Sequence, residues 1–355
     1  MKKEMVKEIA SELKLDICRI THGEDLDLRI SKERMESDLR SQPFTEGDID
    51  RSTDLSLQLD GVRSVIITGV YYGGKKENPY LSSYVTKKDY HDFLEEEMEK
   101  LVNRLQARCQ EDFKHKIFVD TAPFLEKVLA ARAGAGYIGK NSMLIHPEYG
   151  SYIFLGEILT DLKIEIDEPL DMNCGDCRLC LDNCEGGALR EPYLVDGNKC
   201  ISYLTQKKGL LSVEERERIG GHIWGCDKCQ EVCPHNEERT MKVYDGLEPF
   251  DKDLEYFLKI DRKDPPSELE DTAMMWRGGR ILVRNALIVI ANLNKTEHFD
   301  LVEQKLRDDS PIVRFYAAWA LSQLDLEKSK GILERHLSEE SDERVRSEIR
   351  RILGS

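Results

Sequence analysis

The 355-residue sequence predicts an α+β protein of three parts. Three observations carry that reading. Residues 1 to about 165 mix strand and helix patterns, eight cysteines crowd between positions 174 and 233, and from about residue 270 the pattern is helical and repeats. The expected borders are 1–165, 166–240 and 241–355, in keeping with a chain too long for one core.

In the first part, MKKEMVKEIASELKL reads as an amphipathic helix. Acidic residues interrupt it, so it lacks the apolar stretch of a signal peptide. VRSVIITGVYY (62–72) has the composition of a buried strand, and DYHDFLEEEMEKLVNRLQARC (89–109) that of a long amphipathic helix. KIFVD (116–120) is a short strand ending in Asp120, TAPFLEKVLAARAG (121–134) a helix that Gly134 can cap, and GSYIFLGEILTDL (150–162) a further strand. GAGYIGKN (134–141) matches no dinucleotide fingerprint and reads as a helix end and loop, and HPEYGS (146–151) as a turn.

The middle part begins with CGDCRLCLDNCEGG, which places Cys174, Cys177, Cys180 and Cys184 at the spacing of bacterial ferredoxins. In that pattern three cysteines hold one [4Fe–4S] cluster and the fourth reaches the other. CDKCQEVCP supplies Cys226, Cys229 and Cys233, and Cys200 upstream completes a second set. The expectation is a ferredoxin-like double-cluster domain. Cys174, Cys177, Cys180 and Cys233 would bind one cluster, and Cys184, Cys200, Cys226 and Cys229 the other. Two structural zinc sites are the competing reading. Glu185 stands where a proline is usual; Gly186 and Gly187 let the chain turn there, and the added charge should lower a cluster's potential. Cys18 and Cys109 are left as small apolar residues.

In the third part, RNALIVIANL, RFYAAWALSQL and RSEIRRIL begin at Arg284, Arg314 and Arg346. A period of about 30 residues marks stacked helix pairs of HEAT type.

Composition limits what such a chain can do. It is 40% hydrophobic and 34% charged, and its net charge is 52 − 68 = −16. Contact with a nucleic acid therefore needs a local basic patch. No apolar run approaches the ~20 residues of a membrane span. A cytoplasmic location is expected, and with it thiols rather than disulfides. Asp120 at a strand end reads equally well as a general acid, if its surroundings keep it protonated, or as a helix cap with Thr121 and Pro123 in the first turn. Lys207 and Lys208 in TQKKG, and Arg277, Arg280 and Arg284 in WRGGRILVR, form basic clusters that Arg314 could extend. By charge alone these are solvated helix faces.

VDTAPFLEKVLAARAGAGYIGKNSMLIHPEYGSYIFLGEI, the two cysteine runs, WRGGR with RNA, and the terminal repeats resemble, in that order and over nearly the whole chain, the epoxyqueuosine reductase family. The resemblance implies a cobalamin-binding catalytic domain at the N-terminus. It implies an oxidoreductase that converts epoxyqueuosine to queuosine at the wobble position of tRNAs with GUN anticodons. Electrons from an unidentified donor would pass singly through the two clusters to the cobalt of base-off cobalamin. Asp120 matches the family's catalytic aspartate and would protonate the departing oxygen before water is lost. Arg51, Asp120, Lys140, Asn141 and Ser142 would contact cobalamin. Lys207, Lys208, Arg277, Arg280 and Arg284 would hold tRNA phosphates, with Tyr84, Tyr90, Tyr137 and Trp224 as candidates to stack the base.

DYHDFL begins like the Asp-x-His-x-x-Gly motif that gives cobalt a histidine, but Leu94 stands where glycine belongs, so no protein histidine ligand is expected. Ser83 and Lys87 replace the arginine and glycine usual before DYH, which leaves cobalamin contacts there open. The expected state is a monomer away from membranes. Two other readings compete: a cobalamin iron–sulfur reductase acting on a small halogenated molecule, and an electron carrier without catalysis.

Overall fold

Four apolar stretches pair into one antiparallel sheet: β1 (Ile17–His22), β2 (Ser64–Tyr71), β3 (His115–Phe118) and β6 (Ile153–Thr160), in the order β1-β2-β6-β3. A small hairpin, β4 (Tyr137–Ile138) with β5 (Leu144–Ile145), lies between β3 and β6 in sequence. The computed structural model describes residues 1–24, 49–73, 78–109, 112–237 and 243–354.

Successive side chains of a strand point to opposite faces, and β6 shows why both faces are covered. Phe154 and Ile158 are buried on one face, where Gly156 leaves room for Met98 of the helix Tyr90–Cys109. Ile153, Leu155 and Leu159 point the other way. They join Val65, Ile67, Phe118, Leu129 and Ala130 in an apolar layer that includes the helix Glu126–Arg132. Burying each of these large side chains contributes roughly 1.5–3 kcal/mol.

The α+β class is as expected, but the sheet is antiparallel. The rule that reactive groups gather at the carboxyl ends of parallel strands therefore does not account for Asp120. The helix after it is also shorter than expected. It begins at Glu126, with Leu125 at its N-cap, so Asp120, Thr121 and Pro123 precede it. Asp120 adopts the left-handed conformation (φ 48°), where no helix can begin.

The chain folds into two units of interleaved segments. The first comprises Met1–Lys75, Lys88–Asn198 and Asp227–Glu248; the second comprises Lys76–Lys87, Lys199–Cys226 and Pro249–Ser355. These borders differ from sequence borders near 165 and 240 for a physical reason. Leu81, Val85, Leu204, Leu211, Ile219, Ile223 and Trp224 bury their side chains in the core of the helical repeats. That core is built on the helices Gly279–Asn292, Pro311–Leu324, Leu326–Glu339 and Glu343–Leu353. Asp325 and Asp342 cap the last two, their side chains accepting from the N–H groups of Lys328 and Arg344.

Candidate functional site

Within the first unit, Cys174, Cys177, Cys180 and Cys233 line one cavity with Lys140, Asn141, Ile145 and His235. Two short helices, Leu179–Asp182 and Lys228–Glu231, carry the turns that bring the runs together. Gly150 makes a close approach possible. At φ 66° it lies so near Asn236 that a Cβ would stand 2.0 Å from the Asn236 Oδ1. Burial pushes the Cys180 and Cys233 thiols up, and the neighbouring Cys174 and Cys177 push them further; main-chain N–H groups of Leu181 and His235 act against this. A positive metal core would relieve that crowding of thiolates. No three His, Cys, Asp or Glu side chains among the described residues converge as a single ion would require. Four thiols around a shared cavity suit a polynuclear cluster.

One further group fits a cluster. Tyr137 is 4% exposed and its hydroxyl has no hydrogen-bond partner among the described residues. Burial and the nearby Cys174, Cys233 and Cys177 push it up to about 12, so the phenol keeps its proton beside the thiols. It was expected as a base-stacking aromatic; buried against the cysteines, it has no face for a base.

Lys140 and Asn141 also belong to this cavity. The Lys140 ammonium donates to the carbonyls of Gly175 (2.6 Å) and Cys177 (2.7 Å). Asn141 is buried, its amide nitrogen 3.5 Å from the Cys229 carbonyl and its oxygen accepting from the Met143 N–H. Both brace the cysteine loops. Ser142 is half-buried and Arg51 exposed. Glu185 meets the Lys228 ammonium at 3.2 Å, which offsets the charge that replaces proline, and Gly187 takes up φ 63° beside it. Of the other cysteines, Cys184 and Cys229 lie in the first unit, and Cys200 and Cys226 in the second. The Cys184 sulfur accepts from the Ala188 N–H at 3.3 Å.

The second feature of the first unit surrounds Asp120, which is exposed just beyond β3. Tyr90 donates its hydroxyl to Asp120 Oδ2 at 2.6 Å. The Tyr90 ring is fixed by stacking on Phe154 (4.2 Å, 1°) and on His91 (4.0 Å, 27°). His91 Nδ1 lies 2.6 Å from Asp89 Oδ1. Burial opposes the imidazolium, but the Asp89 hydrogen bond and charge, with Asp120 and Asp92 adding, raise His91 above its ordinary value. Two acids that sequence reasoning missed lie on the other side. Glu126 and Glu157 are both pushed up, by burial first and by the charge of Asp120 among the other causes. The burial expected of Asp120 is found at these two. Glu157 was visible as an acid inside the apolar run SYIFLGEILT.

In the second unit the basic residues separate. Arg284 is fully buried, and its guanidinium donates to the carbonyls of Leu204, Thr205 and Lys207 and to the Asn285 amide oxygen. It cannot meet tRNA, because burial and five hydrogen bonds hold it inside. Arg314 is likewise held by both oxygens of Glu340 at 2.7 Å. Lys207 is half-buried on Glu215. Lys208 and Arg280 are exposed, and Arg277 lays its guanidinium 3.5 Å from the ring centre of Trp276, which is 55% exposed. Trp224 is fully buried, so it is not available to a base; Tyr84 is half-buried in this unit.

Three family models match. Residues 53–121 match the model described as epoxyqueuosine reductase QueG, DUF1730; residues 173–236 match a 4Fe-4S double cluster binding domain; residues 281–354 match HEAT repeats. The epoxyqueuosine reductase of Bacillus subtilis (strain 168) is 33% identical over 321 residues, which cover 86% of this chain and 83% of that one. That of Escherichia coli (strain K12) is 33% identical over 271 residues, covering 73% and 69%. Among solved structures, an epoxyqueuosine reductase with a tRNA-Tyr epoxyqueuosine-modified stem loop matches with a TM-score of 0.91 at 31% identity, over 99% of both chains. The Bacillus subtilis enzyme, described with its aspartate catalytic loop swung out of the active site, matches with a TM-score of 0.90 at 31% identity, over 99% of this chain and 98% of that one.

Proposed function

As the chain belongs to the epoxyqueuosine reductase family, we propose that it is the oxidoreductase that reduces epoxyqueuosine to queuosine at the wobble position of tRNA. The observation that carries this reading is the likeness over 99% of the chain to a relative crystallised with an epoxyqueuosine-modified stem loop. The substrates are tRNAs with GUN anticodons, and the enzyme is a cytoplasmic monomer served by a separate electron donor.

Cys174, Cys177, Cys180 and Cys233 hold one [4Fe–4S] cluster, a reading supported by their common cavity. Cys184, Cys200, Cys226 and Cys229 hold the other by their spacing in the matched domain. The clusters would supply single electrons, and base-off cobalamin, when bound, a low-valent cobalt able to open an epoxide. Asp120, Arg51 and Ser142 would contact that cofactor, as the resemblance implies; Lys140 and Asn141 act through the cysteine loops they brace.

Asp120 delivers the proton to the oxygen that leaves. Its exposure admits the substrate, and the Tyr90 hydroxyl orients its carboxyl. His91, fixed by Asp89, stacks behind Tyr90 and keeps that ring in place. Lys208, Arg277 and Arg280 contact tRNA phosphates, and the exposed Trp276 under the Arg277 guanidinium offers a stacking face. Nucleoside mass spectrometry of tRNA from a strain lacking the gene tests the proposal. Epoxyqueuosine should accumulate and queuosine disappear, and the intact gene should restore it. Normal queuosine in the deleted strain, with no second enzyme present, refutes the assignment.

A further inference from the structure

An ionised carboxylate in an apolar layer is costly, and such a group is normally paired or neutral. Glu157 lies in the middle of β6, 0% exposed, with Ile67 and Phe118 as cross-strand neighbours. Neither of its carboxyl oxygens has a hydrogen-bond partner among the described residues. Glu126, in the first turn of the helix on the same face, has a buried and unpartnered Oε1. The main chain of Asp120 and its charge both act on the Glu126 carboxyl, which ties the pair to the Asp120 loop. The register repeats the connection: Phe118 pairs with Glu157, and Asp120 stands two residues beyond. The charged groups acting on the pair are Asp120 and, on Glu126, Lys127; the layer around them, from Val65 and Ile67 to Leu129 and Ala130, is apolar.

The chemistry needs more protons than Asp120 holds. Converting an epoxide to an alkene and water takes up two electrons and two protons. One proton goes to the oxygen as the first carbon–oxygen bond breaks. The second goes to the resulting hydroxyl as it leaves as water. Asp120 must therefore be reloaded between the two steps.

We propose that Glu126 and Glu157 form a buried proton store for Asp120. As the hydroxyl departs, the Glu126 carboxyl passes its proton to the Asp120 carboxylate and Glu157 shares its own with Glu126, so the one negative charge left on the pair is partnered by a carboxyl–carboxylate hydrogen bond. Asp120 then makes the second transfer, and protons from solvent refill all three once product leaves. Burial pushes Glu126 up to about 8 and Glu157 well above its ordinary value, so both are loaded at neutral pH. This store rests on the reductase reading, and the two can fail separately.

The test has two arms. Infrared spectroscopy of the cofactor-free protein at pH 7 should show the carbonyl band of protonated, buried carboxyls, and Glu157→Gln and Glu126→Gln should each remove part of it. Absence of the band in wild type overturns the store whatever the reaction is. The reconstituted enzyme is then assayed on an epoxyqueuosine stem loop. Glu157→Gln should lower kcat by up to about 100-fold, the lower end of the range of general acid catalysis, because Asp120 still makes the first transfer. KM should stay unchanged, the alkaline limb of the pH profile should move, and the solvent isotope effect should grow. An unchanged kcat and pH profile overturns the store and leaves the reductase reading standing. Absence of turnover by the wild type overturns the reductase reading and the store with it. Should Glu157→Gln not fold, Glu126→Gln carries both arms.

Discussion

The repeat unit buries Arg284, Arg216 and Glu348 with partners for each, whereas the unit with the sheet buries Glu157 with none among the described residues. Arg216 binds Glu348 at 2.6 Å and the Leu211 carbonyl at 3.0 Å, and its guanidinium lies over Phe315, Tyr316 and Trp319. Arg284 closes the carbonyls left open where the helix Ile201–Gln206 ends. These are the arrangements of groups that serve the fold. A buried acid without partners contributes no such service, and its natural explanation is chemical.

The contrast breaks most easily at Asp120. Asp120→Asn should reduce kcat about 10²–10⁴-fold, the range of general acid catalysis, with iron content and melting temperature retained. A variant that melts early would place Asp120 with the structural charges. Next in size, Arg216→Met leaves Glu348 buried without that partner and should cost about 3–5 kcal/mol. Adding Glu348→Leu should recover much of that stability, measured by chemical denaturation.

The two regions should also answer pH in opposite directions. Folding holds a proton on Glu126 up to about 8, against its ordinary 4.5. The unfolded chain releases that proton between those values while the native chain keeps it, so stability falls as pH rises, by up to about 1.4 kcal/mol per pH unit per group. Glu340 is held down to about 2, first by the Arg314 hydrogen bonds. Its contribution is complete above about 4.5 and disappears as pH falls towards 2. Hydrogen exchange followed peptide by peptide should show β6 loosening toward alkaline pH and the 314–340 helices toward acid. Parallel loosening would dissolve the distinction.

Smaller effects sharpen it. Tyr137→Phe removes a phenol from beside the thiols. The first cluster's potential should become more negative with unchanged iron content, because hydrogen bonds to cluster sulfurs favour the reduced state; protein-film voltammetry reads this. Replacing Lys208, Arg277 and Arg280 by glutamine should flatten the salt dependence of tRNA binding, by about 0.7–0.9 in slope for each phosphate no longer neutralised, while melting stays unchanged. Trp276→Ala should weaken binding by about 1–3 kcal/mol if a base stacks there.

Legibility in the sequence followed the range of the signal. The cysteine spacings, the helical repeat and the strand patterns are local, and 174–184, 226–233, Ser64–Tyr71 and Tyr90–Cys109 were readable from them. Arg277, Arg280 and Arg284 looked alike because they share a spacing; only packing separates the fully buried Arg284 from the half-buried Arg277 and the exposed Arg280. Glu126 carries no such local signal and Glu157 only that of an acid inside an apolar run, because neither sits in a motif and they meet only through strand pairing and helix docking.

By itself the sequence determined the class of the fold, the two cysteine runs of the double-cluster domain and, through its resemblance, the reaction to look for. Each depends on residues a few positions apart or on a repeat of fixed period. The tertiary structure decided which charges are structural, that Lys140 and Asn141 brace cysteine loops, and that two acids lie buried behind Asp120. Burial and partnership are set by residues about 30 to 90 positions apart in the chain, and no local pattern encodes them.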